Sequence, residues 1–241
     1  MNELLTEDRG AVRILTMNRP EKRNALNTAL TRALLEGLRA ADTAEPVACV
    51  LLTGAGQGFC AGADLSEFKD LGSEHRQRIE ERAELTMQLH LAFPKMAKPV
   101  VTAINGAAMG GGAGLAIAGD MAVMAEGAKL GYPETRHGIV AAIVMANLVR
   151  QVGRKQAFEL VALGEPIDSR TALALGMVNR VVDEKLLMEQ ALQIAEKLSR
   201  VSRSALSATK QLFHEVADLP LAEALRRGRE ANKRMRAFRK T

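Results

Sequence analysis

The chain has 241 residues, 47% of them hydrophobic and 25% charged, with a formal charge of +5. This is the composition of an ordinary globule long enough to bury one sizeable core, and its apolar runs are broken by Gly, Asp or Lys before they reach bilayer length, so no membrane partner is expected. Residues Met1 to Arg13 have neither the apolar core of a secretory signal nor the acid-poor, arginine-rich character of a transit peptide, which makes the cytoplasm the expected compartment.

Two cysteines occur, Cys49 and Cys60, with no Cys or His at ligand spacing near them. They read as free thiols in a reducing compartment, and no metal site is expected. The positive charge is local: residues 226–240 hold eight Lys or Arg against the single acid Glu230, leaving the rest of the chain slightly acidic. A basic run of this kind reads first as a solvated helix face. Phosphate contact, on a cofactor or on nucleic acid, is the alternative. Phe238 is the only aromatic residue in the run, too few for base stacking, so a nucleic-acid partner is not expected.

In chain order, Val12 to Met17 alternates like a half-buried strand, and Leu26 to Leu38 carries apolar residues at helical spacing, with Asn27 and Thr28 as candidate caps. Val47 to Thr53 is a second strand, followed by a glycine-bearing loop, Gly54 to Gly62, after which Asp64 can cap a short helix beginning at Leu65. A long polar helix, Ser73 to Phe93, leads to a turn bracketed by Pro94 and Pro99 and then to a third strand, Pro99 to Ile104. A helix over Gly111 to Gly119 and a strand over Asp120 to Glu126 complete an alternation that predicts an α/β fold with parallel pairing. From Ile143 onward the pattern is mostly helical. Val178 to Val182 is the one clear later strand, and Lys185 to Leu198, Ser202 to Val216 and Leu221 to Phe238 read as amphipathic helices, more than one core needs. Surplus helices of this kind often pack on another subunit.

Chemistry concentrates between Ile104 and Gly114, where a hydrophobic strand runs into a stretch of glycine and alanine and then a helix. Such a segment brings bare backbone close to a partner. N–H groups at the start of a helix have no intrahelical acceptor and can hold a carbonyl oxygen as it becomes an oxyanion. Other nucleophile and phosphate signatures are missing: there is no Gly-x-Ser-x-Gly elbow and no Gly-x-x-x-x-Gly-Lys loop, and Gly54-Ala55-Gly56-Gln57-Gly58 fails the dinucleotide spacing.

Six segments, taken in order, resemble the crotonase superfamily, the enoyl-CoA hydratase and isomerase family. They are Asn18-Arg19-Pro20-Glu21-Lys22-Arg23-Asn24-Ala25-Leu26, Gly58 to Leu65, Asn105 to Gly112, Asp120 to Glu126, Gly131-Tyr132-Pro133-Glu134 and Gly176-Met177-Val178-Asn179. The resemblance covers nearly the whole chain. It implies a spiral of ββα units over residues 1–183, forming an acyl-CoA-binding catalytic core, and a C-terminal helical trimerisation region over 184–241. It also implies homotrimers, or hexamers made by pairing them. Two backbone N–H groups polarise the thioester carbonyl in this family, and the matching positions are Ala63 and Gly111. Lys22, Arg23 and Ala61 fall where coenzyme A is bound, with the two cations suited to its phosphates. Coenzyme A enters as part of the acyl-CoA thioester substrate, and no prosthetic group is implied.

Hydratases of the family use two glutamates. The second matches Glu134, but the first falls on Gly114, with Ala113 beside it, and neither can move a proton. Paired carboxylates divide the activation of water from the protonation of carbon, so a single glutamate favours the reaction that needs only one base, isomerisation of 3-enoyl-CoA to 2-enoyl-CoA. Ile139, Val140 and Ile143 are candidates for an apolar wall that would raise the pKa of Glu134. Alternatives are a hydratase or hydratase-lyase working with Glu134 alone and, from another class, an RNA-binding or inactive homologue using the basic tail. Arg136, His137 and Tyr132 are left outside the catalytic set. Ser66 and Glu67 stand where the family often has a lysine for coenzyme A, which removes one expected contact.

Overall fold

The computed structural model describes residues 2–68 and 76–237. The start of the helix predicted over Ser73 to Phe93 and the end of the one predicted over Leu221 to Phe238 lie outside the described residues. A six-stranded sheet has the order β1 (Leu4–Arg9), β2 (Val12–Met17), β3 (Cys49–Gly54), β5 (Val100–Ile104), β7 (Met121–Ala125) and β10 (Arg180–Val182). A second sheet has the order β4 (Gly58–Cys60), β6 (Ala107–Met109), β8 (Lys129–Gly131) and β9 (Ile167–Asp168). β1 pairs with β2 antiparallel; β2, β3, β5, β7 and β10 run parallel, as do β4, β6 and β8. Each pass of the chain therefore lays a long strand in one sheet and a short one in the other, β3 then β4, β5 then β6, β7 then β8. That repetition is the spiral of ββα units.

β3 and β5 are buried at every residue, as parallel strands covered on both faces must be. Helix α1 (Thr28–Thr43) begins where expected: Asn27 accepts from Leu30 N–H at 2.7 Å, and Leu30, Leu34, Leu35 and Leu38 form its buried stripe. It packs on β2 and on α2 (Arg76–Lys95), which continues one residue past Pro94. Helix α3 is shorter than the spacing suggests, Gly111–Ala116. Then come α4 (Ala142–Gln151), α5 (Arg154–Leu163) and α6 (Ser169–Ala174), and α7 (Leu187–Ser199) packs against β3, β5 and β7.

The C-terminal helices α8 (Arg203–Val216) and α9 (Leu221–Ala237) lie mostly outside this core. One buried cation fastens α8: Lys210 Nζ donates to Lys98 O at 2.9 Å and to Asp120 Oδ2 at 2.8 Å. Elsewhere both helices show solvent large apolar groups, Phe213, Leu221 and Leu225. On α9, Arg226, Arg227, Arg229 and Lys233 are paired with Glu215, Glu223 and Glu230. No described helix is long and apolar enough to cross a membrane.

Candidate active site

The loop after β4 reaches the segment just before α1 through one parallel bridge, Leu26 opposite Ala63. Leu26 N–H donates to Gly62 O at 2.7 Å, and Leu26 O accepts from Asp64 N–H at 3.0 Å. A parallel bridge of this kind uses the residues on either side of Ala63, so the N–H of Ala63 itself turns away from Leu26. Neither that N–H nor the N–H of Gly111, the first residue of α3, finds an acceptor among the described residues. The two backbones are neighbours: a Cβ on Gly111 would stand 3.8 Å from Ala63 N, and one on Gly62 would stand 3.4 Å from Gly111 N. Gly62 has φ +90°, and its Cβ would fall 2.7 Å from Met109 O, so only glycine fits there. A pair of bare N–H groups on adjoining backbone can stabilise a thioester oxygen as it becomes an enolate.

Glu134 comes to the same backbone from the other side. It sits in a 3-10 turn, Pro133–His137, opened by proline and closed by Gly138 in the left-handed region. A Cβ on Gly110 would lie 2.8 Å from Glu134 Oε1 and 3.3 Å from its Cδ, so the carboxylate occupies the room that glycine leaves. Gly110 N–H is spent on Gly131 O at 2.8 Å. Oε2 of Glu134 is buried without a hydrogen-bond partner among the described residues. Burial raises the Glu134 pKa, against smaller lowering effects from a backbone hydrogen bond and the His137 charge. A carboxylate in this setting is a stronger proton acceptor than one in water.

The expected apolar wall is different. Ile139 is 47% and Val140 72% exposed, because both follow the turn outward; Ile143 is half-buried. The buried neighbour is Tyr132, whose hydroxyl has no partner among the described residues. Burial, with the Glu134 charge second, raises the Tyr132 pKa, so the hydroxyl keeps its proton. Arg136 points away, donating to Leu163 O at 2.9 Å and pairing with Glu165 at 3.0 Å.

Lys22, Arg23 and Ala61 lie together on an exposed rim: Lys22 closes the 3-10 turn Pro20–Lys22, and Ala61 N–H donates to Arg23 O at 2.9 Å. The rim depends on a backbone bend that sequence reasoning passed over. Arg23 and Asn24 both have positive φ, 50° and 56°. The fully buried Asn24 side chain holds that bend by donating to Ala55 O and Gly58 O, at 2.9 and 2.8 Å, and by accepting from Arg19 N–H at 2.9 Å. The asparagine was a readable signal, since it tolerates the left-handed region better than most residues. Arg19 bridges to Asp64 at 2.9 Å and to Glu3 at 3.3 Å, fixing the loop that carries Ala63.

Asp64 caps the next turn as expected, accepting from Ser66 Oγ at 2.6 Å, and that bond, opposed by partial burial and aided by Arg19, lowers its pKa. Glu67 accepts from Thr28 N–H at 2.9 Å and so serves the start of α1. Cys49 and Cys60 are free and buried, and burial pushes both thiols up to about 12. Neither is a nucleophile at neutral pH.

The model of the family described as enoyl-CoA hydratase/isomerase matches residues 7–239. The chain is 38% identical to the 2,3-dehydroadipyl-CoA hydratase of Escherichia coli, over 95% of this chain and 89% of that protein. It is 34% identical to the 1,2-epoxyphenylacetyl-CoA isomerase of the same organism, over 89% and 82%. The solved enoyl-CoA hydratase of Mycobacterium smegmatis superposes with a TM-score of 0.92 at 31% identity, covering 97% of this chain and 90% of that one. With its two-sheet spiral and a match of this extent, the chain belongs to the enoyl-CoA hydratase/isomerase family, within the crotonase superfamily.

Proposed function

We propose that this protein moves the double bond of a 3-enoyl-CoA to the 2 position, with Glu134 as its single base. The observation that carries the reading is the carboxylate of Glu134 packed on Gly110, next to the free N–H groups of Ala63 and Gly111. Glu134 takes a proton from C2; the electron pair moves into the thioester, and the oxygen it reaches is held by the two N–H groups. The same carboxyl group returns the proton at C4, leaving the double bond between C2 and C3. Each N–H donor contributes about 3–4 kcal/mol to lowering the barrier, and the base a further factor of about 10² to 10⁴ in rate. Coenzyme A arrives with the substrate, and Lys22, Arg23 and Ala61 receive it at the exposed rim. Phe213, Leu221 and Leu225 supply apolar surface for assembly into a homotrimer or a pair of trimers.

Hydration of 2-enoyl-CoA by Glu134 alone is the second reading, favoured by relatives that carry hydratase names. A side-by-side assay of 3-enoyl-CoA isomerisation and 2-enoyl-CoA hydration, for the wild type and Glu134→Gln, separates the two. Isomerisation that disappears in the variant supports the proposal. Hydration abolished by Glu134→Gln, with 3-enoyl-CoA left untouched by the wild type, overturns it in favour of the second reading.

A further inference from the structure

The α-carbon of Gly114 faces two side chains from other helices. A Cβ there would fall 2.4 Å from Val144 Cγ1, on α4, and 2.8 Å from His90 Cε1, on α2. An imidazole and a valine therefore fill the space into which any side chain at 114 would project, including the glutamate that the two-carboxylate pattern puts there. Loss of that glutamate has not left a gap.

His90 is 6% exposed, and neither ring nitrogen has a hydrogen-bond partner among the described residues. Burial drives its pKa down to about 4, so at neutral pH the ring is uncharged. One nitrogen then donates and the other accepts. Buried polar groups almost always have partners, and an orphaned one calls for an explanation; a leucine of similar size would pack here with nothing left unpaired. The ring also lies one turn of helix from the reacting groups. Gly114 N–H donates to Gly110 O at 3.0 Å, and Gly110 is the residue that Glu134 covers.

We propose that His90 sets the specificity of this site, its imidazole binding a hydroxyl oxygen beside the acyl chain about one helical turn beyond the carbon that Glu134 deprotonates. This rests on Glu134 being the base. A neutral imidazole offers one donor and one acceptor, and a hydroxyl, itself both donor and acceptor, can pair with either nitrogen. An aliphatic chain answers neither. The hydroxyl belongs either to the acyl chain or to a water that adds across the double bond. In the second case the water oxygen bonds to C3, its proton passes to Glu134 and then to C2, and His90 accepts the other O–H. Val144 stands on the same point, so the ligand reaches the ring by displacing that side chain.

The test compares kcat/KM for three reactions: isomerisation of a plain 3-enoyl-CoA, isomerisation of the same chain with a hydroxyl on C5, and hydration of the plain 2-enoyl-CoA. In His90→Leu the ratio of an oxygen-dependent reaction to plain isomerisation should fall at least about tenfold, because a site built to pair a hydroxyl discriminates strongly for it. His90→Gln keeps a donor and an acceptor and should recover part of that ratio; it also serves as the readout if the leucine variant does not fold. A drop confined to the hydroxylated chain makes the chain the source of the oxygen, and a drop confined to hydration makes it water. Ratios that stay within twofold of wild type, whether all three rates fall together or none moves, overturn the proposal. Glu134→Gln run in parallel keeps the two readings apart: if plain isomerisation survives it while His90→Leu still shifts the ratio, the base is misassigned and His90 is not.

Discussion

Gly110 and Gly114 stand at the two ends of one helical turn, and each leaves room for a neighbour, a carboxylate at the first and an imidazole with a valine at the second. Their reasons for being glycine differ. Gly110 has φ +52°, a conformation other residues rarely take, and its missing Cβ lets Glu134 approach the backbone. Gly114 lies inside α3, where any residue can follow the helix, and only the packing of Val144 and His90 excludes a side chain. At one end the backbone and the chemistry both demand glycine. At the other, space alone does, and space can be remade by a second substitution.

Breaking the first end should have the largest effects. Glu134→Gln removes the carboxylate seated on the bare-backbone segment and should lower kcat for isomerisation about a thousandfold, in the usual range for a general base. Gly110→Ala should come next. Its methyl would meet Oε1 at 2.8 Å, pushing the carboxylate away while straining the backbone, and a displacement near 1 Å commonly costs about a hundredfold in rate. Steady-state rates on 3-enoyl-CoA measure both, and a Gly110→Ala enzyme as fast as wild type would show that Glu134 does not work from where it sits.

The contrast also marks where the sequence could be read and where it could not. Glu134, Gly111 and Ala63 belong to short local motifs, and α1 announces itself through Asn27 and a leucine stripe, so these were legible. The second sheet was not, since β4, β6, β8 and β9 have two or three residues each, too few for an alternation to register. β1 was equally silent because Leu5 to Arg9 are all exposed and carry no alternating face. His90 gave no local signal either: it is one histidine in a long polar helix, and its meaning comes from an absent Cβ at Gly114, reached only through the approach of its ring to α3. Ile139 and Val140 misled for the converse reason, since nearness in sequence to Glu134 did not bring them to its side.

Gly114→Ala tests the second end. A methyl 2.4 Å from Val144 Cγ1 overpacks the junction of α3 and α4, which typically costs about 1–3 kcal/mol and should appear as a lower midpoint in urea. Val144→Ala in the same chain should restore part of that loss, because it removes the nearest atom in conflict and leaves His90 Cε1 at 2.8 Å and Val144 Cβ at 2.9 Å. No second substitution should rescue Gly110→Ala in this way, since the positive φ remains. If Val144→Ala fails to help, the packing account of Gly114 is wrong.

The smallest expected effect concerns pH, and it asks whether the two ends are electrostatically separate. Glu134 works as a carboxylate, and burial raises its pKa above the ordinary 4.5 of a glutamate. Activity should therefore fall, as pH is lowered, at a higher pH than an exposed glutamate would give, because protonation removes the base. The His137 charge holds that pKa down against burial. His137→Ala should then move the acid limb of the kcat profile to still higher pH. Substituting His90 should not move it, since a neutral buried ring has no charge to place on Glu134. A limb that follows His90 instead of His137 would mean that the two glycines border one coupled site, with the imidazole sharing the proton of the carboxylate across the turn.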